Sequence, residues 1–304
     1  MEGLLPRLKD TVTLDDMRDR VARYRNQRVT VRAQIEWMRS GHDRDAAASQ
    51  AAMILAGHRR LITISQTKLS KASDKTTYRN YGLTLSPADE ARAYIAGSSC
   101  RWTMCPGASE GCIPVCVGSE TGQGRLDSSK IARIGRTLAY YVDPLRWWTR
   151  YTDELTVLRR RAHRAGDRLA FRANVASDSP RLAAYSRVCF PDIEWYDYTV
   201  ILPALDREDG VHRVYSLKEN RIRQADKALS RGHGVAVVYR DQIPDYWRGH
   251  PVINGDVHDL FWLQARDARM RAYGTPDHGA YVVGLKLKGH RWQREHAIRT
   301  GFAQ

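Results

Sequence analysis

No stretch of the 304 residues approaches the roughly 20 consecutive apolar positions that a membrane span requires. Residues 1–16 also lack the apolar centre of a secretory leader. The expectation is a soluble, cytoplasmic protein without a membrane partner. No segment repeats at a period of about 20–50 residues, which argues against solenoids and propellers. The chain has neither G-x-G-x-x-G nor a Walker loop, and its histidines show no H-E-x-x-H spacing. No convincing Ser/His/Asp or Cys/His order is present either. Acidic residues are the short side of the charge balance, 34 Asp and Glu against 49 Lys and Arg, a net charge of +15. An excess of that size implies an anionic partner, with nucleic acid the common case and DNA placed ahead of RNA. A small anionic substrate would also account for it.

Cysteine is scarce, five in all, yet four fall between residues 100 and 116: Cys100, Cys105, Cys112 and Cys116. Pro106, Pro114, Gly107, Gly111, Gly118, Gly122 and Gly124 are interleaved with them or follow them. Proline removes donors and glycine weakens both helix and strand, so residues 100–125 read as an irregular loop shaped by something other than a backbone ladder. Clustered thiols in a reducing compartment are more often ligands or catalysts than disulfides, although disulfides and simple packing stay open. The spacing C-x4-C-x6-C-x3-C is not that of a zinc ribbon. Three thiolates with one open position would suit an Fe–S cluster, and four would suit structural Zn. Cys189, before Phe190 and Pro191, reads as buried packing.

The remainder predicts an α/β chain. Residues 1–58 form a basic helical extension, with a helix from Thr13 that carries Arg18, Arg20, Arg23, Arg25, Arg28 and Arg32, then an alanine-rich helix Asp43–Ala56. Residues 59–304 form the α/β, catalytic-like domain. Strands are expected at 61–65, 169–175, 193–198, 214–217, 234–239 and 280–288, and residues 66–81 as a surface loop. Helices are expected from Ser128 or Ser129, from Pro144 (with Leu145, Trp148, Tyr151, Leu155 and Leu158 inward), over 180–189 and over 220–231. Strand–helix alternation of this kind points to parallel units and a partial or complete (β/α) barrel. In such folds chemistry sits beyond the carboxyl ends of the strands. The candidates there are Asp178, Asp197, Asp256, Asp259 and Lys286 for acid–base work, with Arg172, Asn174 and Ser177 for binding. Gly122 and Gly124, ahead of a helix N-terminus, form a possible anion cradle. Asp241 could merely cap a turn.

Several of these segments together resemble a known family. They are residues 80–87 (NYGLTLSP), 105–116 (CPGASEGCIPVC), 172–178 (RANVASD), 190–199 (FPDIEWYDYT), 234–239 (GVAVVY), 251–260 (PVINGDVHDL) and 283–286 (VGLK). In order and spacing the chain resembles bacteriophage and prophage proteins of the gene-product-88 type, and the likeness leaves residues 1–60 uncovered. The resemblance carries over Cys105, Cys112 and Cys116 and leaves Cys100 outside the motif, which favours a three-thiolate site. Val200 stands where the family usually has Lys, and Phe261 and Gln264 replace its usual Arg and Asp. In outline these relatives look similar to radical S-adenosylmethionine enzymes, by analogy only. The expected function is thus a phage metal- or Fe–S-dependent enzyme that modifies nucleic acid, with S-adenosylmethionine as a possible cofactor. Its rivals are a non-enzymatic, counter-defence nucleic-acid binder with a zinc knuckle, and a base-exchange enzyme of the transglycosylase type.

Overall fold

A computed structural model describes residues 43–64, 69–70, 73, 78–88, 90–91, 103–257, 259–260, 262 and 279–304. The expected helix from Thr13, its arginines, Cys100, His258, His278, Phe261 and Gln264 lie outside the described residues.

The scaffold is a mixed α/β structure around one eight-stranded sheet. Its strands are β1 (Tyr78–Gly82), β2 (Arg168–Arg172), β3 (Glu194–Thr199), β4 (His212–Ser216), β5 (Gly234–Tyr239), β6 (Tyr246–Trp247), β7 (His250–Asn254) and β8 (Val282–Lys286). The order across the sheet is β1-β2-β3-β4-β5-β8-β7-β6, parallel throughout except for the β6–β7 hairpin. Among the described residues no pairing joins β1 to the far edge, so a closed barrel is not seen.

The helices are α1 (Asp43–Ala56), α2 (Asp127–Val142), α3 (Pro144–Arg164), α4 (Pro180–Cys189), α5 (Ile222–Ser230) and α6 (Arg291–Thr300). α2 and α3 together link β1 to β2, α4 links β2 to β3, and α5 links β4 to β5. Parallel neighbours require such crossovers, and their helices pack against one face of the sheet. Two-residue periodicity divides the sheet's side chains accordingly. Trp195 joins Tyr151, Leu155 and Phe171 in a core against α3, while Tyr196, Tyr198, Ala236 and Val283 build a second core on the other face.

Several boundaries differ from the sequence expectation for physical reasons. Residues 61–64 make only the bridge of Thr63 to Gly82. The sheet's first strand is instead the polar segment Tyr78–Gly82, which pairs with β2 from Tyr78–Arg168 to Gly82–Arg172. Its polarity is accommodated because buried Asn80 donates from Nδ2 to Tyr196 Oη at 3.0 Å. α2 begins before Ser128, and its N-cap, Leu126, makes no side-chain cap bond. α3 buries Trp147 rather than Trp148 alongside Tyr151, Leu155 and Leu158, and leaves Leu145 exposed. Cys189 ends α4 as an exposed free thiol, not as core. α6 was not expected from its sequence, which is strongly polar.

α1 packs on α2 through small residues. A Cβ on Gly135 of α2 would lie 2.5 Å from Gln50 Cβ, so only glycine permits this approach of the two helices. α1 is consequently buried on all sides from Ala46 to Leu55, although its sequence shows no single apolar stripe.

Candidate active site

The carboxyl ends of the parallel strands surround one cavity of about 1130 Å³, slightly larger than typical small-molecule sites. Arg172 enters from β2, Tyr198 from β3, Ser216 from β4, Val238 from β5 and Lys286 from β8. Residues 103–121 form its irregular rim, with a single 3-10 turn at Ile113–Val115.

That rim is anchored from distant parts of the chain. Glu219, just past β4, accepts from Gly111 N at 2.6 Å and from Ser109 Oγ at 2.8 Å. Burial works against its charge, but these donors hold its carboxyl below the usual range. Gln293 of α6 donates to Pro114 O at 2.7 Å and to Glu120 O at 3.1 Å, and His296 meets Glu110 O at 3.1 Å. A Cβ on Gly107 would fall 1.7 Å from Val200 Cγ2, so the rim crosses β3's exit only as glycine. Glu219→Gln keeps the shape of the clasp and removes its charge. The expected result is loss of about 1–2 kcal/mol of local stability. It should appear as faster amide exchange at residues 109–112 with an unchanged global unfolding midpoint.

Cys105, Cys112 and Cys116 are free thiols, and all three line the cavity. Ser109 N donates to Cys112 Sγ at 3.2 Å, and Gly118 N donates to Cys116 Sγ at 3.4 Å, the latter bond favouring the Cys116 thiolate. Burial pushes the Cys105 thiol up to about 12, with the Cys116 and Asp178 charges adding to the rise. Burial also raises the Cys116 thiol. Among the described residues no group of three or more His, Cys, Asp or Glu side chains is arranged to hold a metal ion. Thiolates are metal donors, but these three sulfurs are not arranged around a common point, and bringing them onto one ion would require rearrangement within the rim.

Asp178 also lines the cavity, at nine-tenths burial. Its Oδ2 accepts from Val200 N at 3.0 Å, and its buried Oδ1 has no hydrogen-bond partner among the described residues. Burial raises its pKa, partly countered by Val200 N–H, the Thr199 side chain and the charge of Lys218. Asp259 is buried against Arg172 Nη1 at 3.1 Å, and Arg172 lies 4.5 Å over the Tyr198 ring. Asp256 bridges the ends of β7 and β8, accepting from Lys286 N and Lys288 Nζ, both at 2.9 Å. Gly122 and Gly124 border the same space, and the Gly124 carbonyl accepts from Arg133 Nη1 at 2.5 Å.

The structure separates other candidates from this group. Asp197 does not line the cavity: strand alternation puts it on the face of Trp195, turned to the helices. There it accepts from Tyr198 N at 3.0 Å and from Asn174 Nδ2. Asn174 is itself saturated, since its Oδ1 accepts from Ser177 Oγ at 2.8 Å and from Ser179 N at 3.0 Å. Asn174 and Asp197 thus brace the turn that carries Ser177 and Asp178. Asp241 is exposed and paired with Arg240. Lys218, whose charge acts on both Asp178 and Cys105, was missed because nothing distinguishes a lone lysine after a strand. Glu219 was missed for the same reason.

The fold and site define a mixed α/β protein with a mostly parallel sheet and a thiol-bearing cavity at the strand ends. A family model described as gene product 88 matches residues 57–304, and the chain belongs to that phage-type family. No curated protein and no solved structure matches it. Among the described residues no helix is long and apolar enough to cross a membrane.

Proposed function

We propose that the chain is an enzyme that modifies nucleic acid, with Cys105, Cys112 and Cys116 holding an iron–sulfur cluster beside the substrate. The observation that carries this reading is that three free thiols and the unpartnered carboxyl oxygen of Asp178 share one cavity. The sequential order β1 to β5 is that of an arc of a (β/α) barrel, a scaffold whose strand ends bind ligands. Held by Cys105, Cys112 and Cys116, such a cluster would supply one-electron reducing chemistry, with S-adenosylmethionine the small molecule it would act on in this reading. Within the cavity Asp178 holds or receives a proton, and burial raises its pKa in favour of the protonated form. Lys218, Lys286 and Lys288 supply positive charge for phosphates. The first turn of α6, fastened to the rim by Gln293, leaves Arg291 and Trp292 exposed, a pairing that suits phosphate and base contact.

The firm clasp of the rim by Glu219 and Gln293 favours one second reading. In it the thiols hold structural Zn and the protein binds nucleic acid without altering it. Metal analysis of anaerobically purified protein separates the two. Iron with acid-labile sulfide and visible charge-transfer absorbance, lost in Cys112→Ser, is expected. Zinc in place of iron would move the assignment to the second reading, and protein without either metal would overturn both.

A further inference from the structure

Helix α2 turns Ser129, Ala132, Arg133 and Arg136 to the cavity, at the three- and four-residue spacing of a single helix face. The two arginines differ in how they are satisfied. Arg133 is occupied: its Nε donates to Glu90 Oε2 at 2.6 Å, and its Nη1 to the Gly124 carbonyl. Arg136 makes no side-chain hydrogen bond or ion pair with any described residue, and its buried Nε has no acceptor.

The carboxylate whose charge Arg136 feels most is Glu154 of α3. That group is already engaged, accepting from Leu61 N at 2.9 and 3.1 Å and from Ile62 N at 2.9 Å. It also faces Arg150 Nη2 at 3.8 Å, and Arg150 Nε is likewise buried without an acceptor. The charge of Arg59 adds to the positive field around Arg136. Two guanidiniums therefore share one carboxylate whose lone pairs are largely taken by backbone donors. Burial lowers the Arg136 pKa to about 10, which leaves it charged at neutral pH. A half-buried cation with an enclosed, unsatisfied Nε beside a cavity is incompletely compensated until an anion enters.

We infer that the α2 wall of the cavity is an oxyanion subsite in which Arg136 takes a phosphate group. A phosphate dianion balances the unmatched charge of this corner better than a carboxylate does, and the planar guanidinium fork suits its oxygens. The subsite anchors the phosphate of a nucleotide or of a nucleic-acid strand inside the cavity. It goes beyond the reading above and does not require the thiols to hold metal.

The test is calorimetric titration of the full chain with inorganic phosphate, a nucleoside monophosphate and a short single-stranded oligonucleotide, at ionic strength held constant with KCl. Saturable binding is expected for at least the first two probes. Tighter binding of the oligonucleotide would identify a strand phosphate as the natural occupant, and tighter binding of the monophosphate a free nucleotide. Arg136→Gln should weaken phosphate binding about ten-fold or more, and Arg136→Lys, which keeps the charge without the fork, several-fold. Melting curves establish that each variant is folded, and Arg136→Lys decides the matter where Arg136→Gln is not. Absence of saturable phosphate binding to the wild-type chain, or unchanged affinity in the folded variant, would overturn the proposal. Metal content is a separate readout, so failure here is distinguishable from failure of the cluster assignment.

Discussion

Asp259→Ala is expected to destabilise the protein by about 3–5 kcal/mol, because it leaves a buried guanidinium without its counter-charge. The Arg172 and Asp259 side chains are 13% and 0% exposed, with 3.1 Å between Nη1 and Oδ2. Tyr196 Oη donates to the same carboxylate at 3.4 Å, and the Tyr198 ring lies beneath the guanidinium. Arg172 also borders the cavity, so the water it reaches there sets where in that range the cost falls. Replacing both partners, Arg172→Met with Asp259→Leu, should recover most of the loss, since a buried pair is expensive to break singly and cheap to replace together. Denaturant unfolding measures both effects, provided the slope stays constant. A cost below about 1 kcal/mol for the single variant would show the pair to be solvated.

Stability should also fall as pH rises from about 4 to 7, through Asp197. Burial raises its pKa to about 7, against partial relief from Asn174 and Arg172, whereas an unfolded aspartate titrates near 4. Below about pH 4 both states carry the proton and the contribution is fully present. As pH rises the unfolded chain releases its proton first, so stability is lost until the folded group ionises as well. The shift corresponds to on the order of 4 kcal/mol. Asp178 is shifted in the same direction and adds to the trend. The clean quantity is the wild-type profile minus that of Asp197→Asn, whose amide cannot titrate. That variant places a donor against Asn174 Nδ2, a penalty constant with pH, so the slope is read and not the offset. A flat difference would mean that Asp197 is already ionised in the folded chain.

The parallel framework was legible wherever burial on both faces writes itself as an apolar run, as in Gly234–Tyr239. It was illegible where a polar side chain is buried through a distant partner. β1 carries Asn80 into the sheet because Tyr196 waits for it, and no local pattern announces a partner 116 residues away. Conversely, the apolar residues 61–64 look like a strand yet find only one bridge, since Glu154 already takes two of their N–H groups. In the site, Cys105, Cys112, Cys116, Asp178 and Asp259 could be singled out by residue type and position after a strand. The face on which Asp197 lies depended on register, where an error of one residue reverses every side chain. Lys218, Glu219 and Arg136 act through what surrounds them, and their own sequence is ordinary.

The rim that carries the three thiols is shaped by residues synthesised much later. Its clasps reach across 108 residues to Glu219, 179 to Gln293 and 186 to His296. A nascent chain therefore displays Cys105, Cys112 and Cys116 long before anything can fold over them. Contacts of such long range form late and slowly, which leaves an interval in which a metal could be loaded from outside. The same interval exposes the sulfurs to oxidants before the rim closes.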